Sequence, residues 1–417
     1  MNPGHQVVII GAAQAGARCA EALRAEGFAG RVVLVGDEKA LPYERPALSK
    51  GVLLGEAPAE STLVHPRGFY DEKSIELRLG LRAEAIAPSA QRVLLSDGTW
   101  LAYDRLVLTT GSRVRPLPGA PDLPGVHMLR TLDDCAALAR ALVPGARLVV
   151  IGGGFIGLEV AASATRRGLS VAVVERQPSL LERAAPRAVA DPVERLHRRS
   201  GVDMHLGIGA ARILGQSRVS GVELQDGTVL PANVVVIGIG IVPNTELAEA
   251  AGAQSEDGLV VDAFGRTTLA NVWAAGDVTS HPNPILRKRV RLESWQNAQN
   301  QAIAVARNLL GQERAYAEVP WFWSDQFDAN IQMYGLAQPG DDVAWRGDPA
   351  GGKAIGFAFA GGRLTFAVGF NMGGELRLAR KLIETGAQVD AAALCDPARK
   401  LKDIVTGVTA AAVAPAA

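Results

Sequence analysis

Two stretches of this chain repeat one pattern, and the pattern leaves few folds open. A short β-branched run at residues 7–10, a glycine turn at 11–16, a helical run to about residue 26 and a second apolar run at 32–35 recur at 148–151, 152–157, to about 167, and at 171–174. Short apolar runs bounded by glycine read as buried strands, and the alanine-rich runs after each turn read as helices. Each copy is a strand-turn-helix-strand unit of about thirty residues, the size of a mononucleotide-binding half-fold. The fold class is therefore α/β, with two Rossmann-like dinucleotide-binding domains.

The rest of the chain supports a duplication. Ser96-Asp97-Gly98-Thr99 reads as a hairpin turn followed by a buried strand at 106–108, and Gln225-Asp226-Gly227-Thr228 is followed by another at 234–237. From about Pro320 the character changes: aromatic residues cluster, 351–362 alternates like strand and turn, and 376–383 has helical periodicity. This is a smaller C-terminal α+β domain. The expected layout is one dinucleotide-binding domain in two parts, 4–111 and 240–318, a second at 112–239, the C-terminal domain at 319–405, and a disordered tail at 406–417.

Composition narrows the function. The 417 residues carry 43 Lys and Arg against 43 Asp and Glu, so no global field favours nucleic acid or an anionic membrane. Cys19, Cys135 and Cys395 are far apart, which excludes a disulfide framework, a zinc site or a dithiol relay built within one segment. MNPGHQVVIIG runs into a strand without a basic leader or cleavage site, and no apolar stretch is long enough for a spanning helix. A cytoplasmic location is expected.

Gly152, Gly154 and Gly157 form a complete GxGxxG between strand and helix. The first glycine allows the tight turn, the second lets backbone approach a pyrophosphate, the third lets helix and strand pack closely, and the helix N-terminus receives the phosphates. Glu175 ends the next strand, where a carboxylate can accept bonds from ribose hydroxyls. In the N-terminal copy Gly11 and Gly16 remain, Ala13 replaces the middle glycine, and Asp37 lies just past the second strand. Two such units suggest two dinucleotides, most economically NAD and FAD.

Longer motifs bring in a resemblance. Pro42-Tyr43-Glu44-Arg45-Pro46-Ala47-Leu48-Ser49-Lys50, Leu129-Arg130-Thr131-Leu132, Ile151 to Glu159, Ala274-Ala275-Gly276-Asp277, Arg291-Leu292-Glu293-Ser294-Trp295 and Pro320-Trp321-Phe322-Trp323-Ser324-Asp325-Gln326 occur in order and cover nearly the whole chain. Together they resemble the FAD-dependent NADH:ferredoxin reductases, with rubredoxin reductase and apoptosis-inducing factor as more distant relatives. The resemblance implies a glutathione-reductase-like fold. It also implies electron transfer from NADH through FAD to a [2Fe–2S] ferredoxin serving a Rieske-type dioxygenase or a cytochrome P450. It assigns the first, split domain to FAD and the 112–239 domain to NAD.

Carried over by position, the resemblance places Gly11, Ala13, Ala15, Gly16, Asp37, Arg45, Lys50, Ala83, Arg130, Gly276, Asp277 and Trp295 at FAD, and Gly152, Gly154, Gly157, Glu159 and Glu175 at NAD. Reduced flavin tends toward an anion, so a fixed cation stabilises charge that appears on reduction. Lys50 is the candidate, paired with Glu159 across a domain boundary. Trp323 is the aromatic residue implied at the flavin or nicotinamide. Trp321 and Trp323 are read as facing opposite sides of a strand, and Met333, Phe357, Phe359, Phe366 and Phe370 as core. Arg287, Lys288, Arg289 and Arg291 form a basic run that is either a solvated loop or a docking patch for an acidic ferredoxin. Two alternatives stay open: a nicotinamide-dependent peroxide, oxygen or disulfide reductase on the same fold, disfavoured because residues 41–50 hold no cysteine, and a redox-responsive binding flavoprotein.

Overall fold

The computed structural model describes residues 4–338 and 340–413. By contacts the chain divides into two compact units: residues 1–45, 59–113 and 242–320 form one, and 46–58, 114–241 and 321–417 the other.

The first unit is built on a five-stranded sheet in the order Val272–Ala274, Arg105–Leu108, Gln6–Ile10, Arg31–Gly36, Ile75–Leu79, every neighbouring pair parallel. Helix Gln14–Ala25 returns the chain from the central strand to its neighbour. Val7, Ile9, Val32 and Leu34 bury one sheet face with Leu23, Cys19 and Ala302, while Val8, Val33, Leu106 and Leu108 bury the other with Leu95 and Leu259. Burial on both faces explains why these strands read as unbroken apolar runs.

The second unit repeats the plan: Asp203–Leu206, Ser170–Glu175, Arg147–Ile151, Val234–Ile237 and Val126–His127, again all parallel. Both predicted hairpins are present, Arg92–Leu95 with Trp100–Ala102 and Val219–Leu224 with Val229–Pro231. The two sheets differ at one edge. The outermost strand beside Arg105–Leu108 comes from far downstream, whereas the one beside Val234–Ile237 comes from upstream.

The C-terminal portion is an antiparallel sheet in the order Trp321–Gln326, Ala329–Gly335, Arg363–Phe370, Lys353–Ala360, Ala344–Asp348, with helix Gly373–Thr385 against it. Met333, Phe357, Phe366 and Phe370 are buried as expected, and Phe359 is half-buried. Two groupings follow from long-range contacts, and one element from local propensity. The C-terminal sheet clusters with the second dinucleotide fold, and so does the 46–58 segment. Helix Leu401–Val413 occupies part of the expected tail, because an alanine-rich run is also a good helix former; residues 414–417 lie outside the described residues.

Candidate functional site

In the first unit the glycine turn leaves the central strand with no room for side chains. Gly11 has φ +113°, and a methyl there would lie 2.1 Å from the Thr109 carbonyl oxygen; at Gly16 it would lie 2.0 Å from the Gly11 oxygen. Ala13 is the N-cap of helix Gln14–Ala25 with φ −108° and ψ −157°, ordinary extended backbone. The missing middle glycine therefore costs no strain. Gly154, its counterpart in the second unit, is also an extended N-cap, and a methyl there would meet nothing within 4 Å. Open space beside the free N–H groups of a helix start is where an anionic group can settle.

The two copies handle the ribose-side acid differently. Ile10 pairs with Val35 and Ile151 with Val174, so Gly36 stands where Glu175 stands in the second copy. Gly36 is compelled by Ala12, whose methyl would lie 2.5 Å from an added Cβ. In the second copy Gly153 faces Glu175 instead, and the acid accepts the N–H groups of Gly153 at 2.7 Å and Gln177 at 2.8 Å. A carboxylate has lone pairs left after two such bonds. Asp37 is exposed, one residue past the equivalent position.

Around the first turn, Arg45 donates to Glu38 at 2.8 Å and to the Tyr43 hydroxyl at 2.9 Å, and Tyr43 donates to Glu38 at 2.5 Å. Burial opposes the Arg45 charge, but Tyr43, Glu38 and Asp277 outweigh it and hold its pKa above the ordinary value. Gly276, at φ +86°, comes against Ala15, an added methyl lying 3.2 Å from the Ala15 Cβ. Buried Gln301 anchors that bend by accepting from the Gly276 N–H at 2.8 Å and the Thr279 hydroxyl at 2.9 Å. The Ala83–Ala87 strand lies in a small antiparallel sheet, and the chain just before it bonds to Gly36 and Glu38. Trp295 opens helix Trp295–Leu309 behind the N-cap Ser294.

Sequence reasoning did not single out Gln301 or Gln14. The Gln14 amide is buried in the first turn of the N-terminal helix, and neither its oxygen nor its nitrogen has a hydrogen-bond partner. A buried amide without a partner is costly unless a ligand supplies one. With the glycine turn and the free helix N–H groups, it makes the residues of this unit a fit for a bound dinucleotide.

In the second unit Gly152 has φ +114°, and an added methyl would lie 2.4 Å from the Gly238 oxygen; at Gly157 it would lie 2.4 Å from the Gly152 oxygen. Glu159 follows one turn into helix Phe155–Arg166 and is 2% exposed. It accepts from Lys50 at 2.8 Å, from the Ser49 hydroxyl at 2.5 Å and from the Ser324 hydroxyl at 2.6 Å. The expected Lys50–Glu159 pair is present, with Glu159 buried and Lys50 half-buried, and lies within one unit rather than across a boundary. Arg130 precedes the capping box formed by Thr131 and Asp134.

Trp321 and Trp323 correct the sequence reading. Residues two apart in a strand share a face. Their rings are stacked, with centroids 5.0 Å apart and planes 19° from parallel.

The basic run divides. Arg291 is paired with Asp257 and Glu293, and Arg289 donates to the carbonyls of Val261 and Ser280. Arg287 and Lys288 are exposed. The cysteines are poor redox candidates. Burial pushes the Cys19 thiol up to about 12 and, with some help from Asp134, the Cys135 thiol up to about 11; burial also raises Cys395. Cys135 does touch the 41–50 segment, donating to the Leu48 carbonyl at 3.2 Å, a proximity that sequence separation hid.

Two parallel dinucleotide folds in one chain, with an acid ending the second strand of the second, define a nicotinamide- and flavin-using oxidoreductase. Residues 5–302 match the family described as pyridine nucleotide-disulphide oxidoreductase, and residues 321–405 match the reductase C-terminal family. The chain is 46% identical over 397 residues to the anthranilate 1,2-dioxygenase system ferredoxin–NAD(+) reductase component of Burkholderia cepacia, covering 95% of this chain and 98% of that one. It is 38% identical over 417 residues to putidaredoxin reductase of Pseudomonas putida, covering 98% and 99%. A crystal structure of the covalent putidaredoxin reductase–putidaredoxin complex superposes with a TM-score of 0.96 at 38% identity, covering 98% of this chain and all of that one. This chain belongs to the pyridine nucleotide-disulphide oxidoreductase family, and with the reductase C-terminal domain it falls among the ferredoxin reductases.

Proposed function

We propose that this protein takes electrons from NADH through bound FAD and delivers them to a [2Fe–2S] ferredoxin that serves an oxygenase, either a Rieske-type dioxygenase or a cytochrome P450. The observation that carries the reading is the doubled dinucleotide fold joined to a C-terminal reductase domain, in a chain whose thiols are all held protonated by burial. When bound, FAD supplies the conversion of one two-electron step into two one-electron steps. The chain supplies the binding and the fixed charges. Gly11, Gly16 and the start of helix Gln14–Ala25 receive one pyrophosphate, Gly152 to Gly157 the other, and Arg45 and Asp277 complete the first site. Lys50, paired with Glu159, is the fixed cation for the reductive step, and Trp323 lines the nicotinamide side. Among the described residues no helix is long and apolar enough to cross a membrane. Reduced, unpaired cysteines accord with a cytoplasmic location.

The direct test is to denature the purified protein, identify the released flavin, and assay NADH-driven cytochrome c reduction with and without added ferredoxin. FAD release and dependence on ferredoxin are expected. Release of FMN, or a cytochrome c rate that ferredoxin does not raise, contradicts the reading.

Glu175 sets cofactor choice within this function. Its carboxylate suits a 2′-hydroxyl and repels a 2′-phosphate, although exposed Arg176 can attract that phosphate. NADH should be preferred over NADPH by about tenfold or more in kcat/KM, worth about 1.4 kcal/mol, and Glu175→Ala should narrow the ratio. Equal efficiency in the unaltered enzyme contradicts the assignment.

The docking charge rests on Arg287 and Lys288, because Arg289 and Arg291 also hold the local fold together. Encounter with an acidic ferredoxin should slow as salt rises, since exposed charges are screened over about 8 Å at physiological ionic strength. The double variant Arg287→Ala/Lys288→Ala should flatten that dependence while stopped-flow reduction of the flavin by NADH stays unchanged. Normal ferredoxin reduction at both low and high salt places docking elsewhere.

A further inference from the structure

Helix Phe155–Arg166 and strand Trp321–Gln326 meet along matched faces. On the strand, Phe322, Ser324 and Gln326 share the face opposite the two tryptophans. The Phe322 ring centroid lies 4.5 Å from that of Phe155, and one helical turn on, Ser324 reaches Glu159 at 2.6 Å. Behind Ser324, the Gln326 side chain spans to His197 on helix Arg187–Arg199. Ser324, Gln326 and His197 are each fully buried.

The carboxylate dictates the direction of every bond in this row. The Glu159 carboxylate, paired with Lys50, is the acceptor, so the Ser324 hydroxyl donates to it. The Ser324 oxygen is then the acceptor for the Gln326 amide nitrogen at 3.0 Å. That turns the Gln326 oxygen toward His197 Nε2 at 2.8 Å, so Nε2 carries the proton. Burial pushes the His197 pKa down to about 4, against a weaker pull upward from Gln326, so the ring is neutral and its one N–H is committed to Gln326. Bonds aligned head to tail polarise one another, and here all of them point at the carboxylate that holds Lys50.

We propose that Ser324, Gln326 and His197 are positioning residues that hold the Glu159 carboxylate oriented on Lys50. In this arrangement the three side chains act on the NADH half-reaction through Glu159 rather than by contact with a cofactor. The inference rests on the reading above, in which the Lys50–Glu159 pair serves that half-reaction.

The test is stopped-flow reduction of the FAD-loaded, full-length protein by NADH. Ser324→Ala should lower the limiting rate about tenfold, as expected for a lost hydrogen bond to a charged group. The NADH concentration giving half the limiting rate should move by less than about twofold, and oxidation of the reduced enzyme by ferricyanide should be unchanged. Gln326→Met should give a smaller loss of about threefold, and Ser324→Thr, which keeps the hydroxyl, should recover most of the rate. The deciding measurement is a double-mutant cycle. In a Glu159→Gln background Ser324→Ala should change the rate by less than about twofold. Equal factors in both backgrounds mean that the strand acts by packing alone, which overturns the proposal. A normal limiting rate in Glu159→Gln itself would mean that the pair has no part in the half-reaction, and both readings fall. Should Ser324→Ala lose FAD or fail to fold, Gln326→Met carries the same cycle with both serine hydroxyls in place.

Discussion

Lys50→Met is expected to lower stability by about 3 kcal/mol and to slow reduction of the flavin by NADH about a hundredfold. Glu159 is 2% exposed, and the cation paired with it is Lys50 at 2.8 Å. Removing the ammonium leaves a buried carboxylate with two serine hydroxyls, and breaking a buried pair costs roughly 3–5 kcal/mol. The lower end applies because the Lys50 side chain is 19% exposed, so water can partly replace it. The kinetic loss has a separate origin, the removal of a fixed cation from the reductive step. Lys50→Met/Glu159→Gln separates the two. The neutral amide removes the unpaired charge, so the double variant should regain most of the lost stability while its flavin reduction stays slow. Chemical denaturation and stopped-flow absorbance on the same preparations check both. If the double variant recovers its rate together with its stability, the cation has no part in electron transfer.

A second large effect should separate two glycines that lie two residues apart. Gly152→Ala forces alanine to adopt φ +114° and puts its methyl 2.4 Å from the Gly238 carbonyl oxygen and 2.8 Å from the carbonyl carbon. Strain of about 1–3 kcal/mol for the backbone and a similar penalty for overpacking predict a loss of about 2–5 kcal/mol in stability. Gly154→Ala meets nothing within 4 Å at an extended N-cap, so the fold should tolerate it. The new methyl instead occupies space kept for the pyrophosphate, and KM for NADH should rise about tenfold or more, roughly 1.4 kcal/mol per tenfold. Melting temperature and NADH kinetics on the two variants test the contrast. A Gly154→Ala enzyme with unaltered KM for NADH would remove Gly154 from the cofactor site.

Repetition made the dinucleotide folds legible. Strands such as Gln6–Ile10 and Arg147–Ile151 are buried on both faces, and a glycine at positive φ with a carbonyl against its α-carbon accepts no other residue, so both leave marks in the sequence. The Lys50–Glu159 pair was legible only through the motifs that carry the family resemblance, since 109 positions separate the two residues and no local rule joins them. The same resemblance could not reveal what surrounds the pair. Ser49, Ser324, Gln326 and His197 come from three distant segments, and no motif says that they meet.

The amino-acid sequence by itself determined the class of fold, the two glycine turns, the acid Glu175 at the end of its strand and the lack of a local cysteine pair. Each depends on backbone geometry or on residues within one half-fold, and such constraints act over short chain distances. Tertiary structure alone decided four further matters. It brought the 46–58 segment into the unit that holds Glu159. It set the Ser324 hydroxyl against Glu159. It set Cys135 against Leu48. It also committed half of the basic run to internal bonds, with Arg291 paired to Asp257 and Glu293 and Arg289 bonded to backbone. The physical reason is common to all four. A side chain's role in charge pairing or hydrogen bonding depends on which buried neighbours can satisfy it, and those neighbours are chosen by packing between segments that lie far apart in the chain.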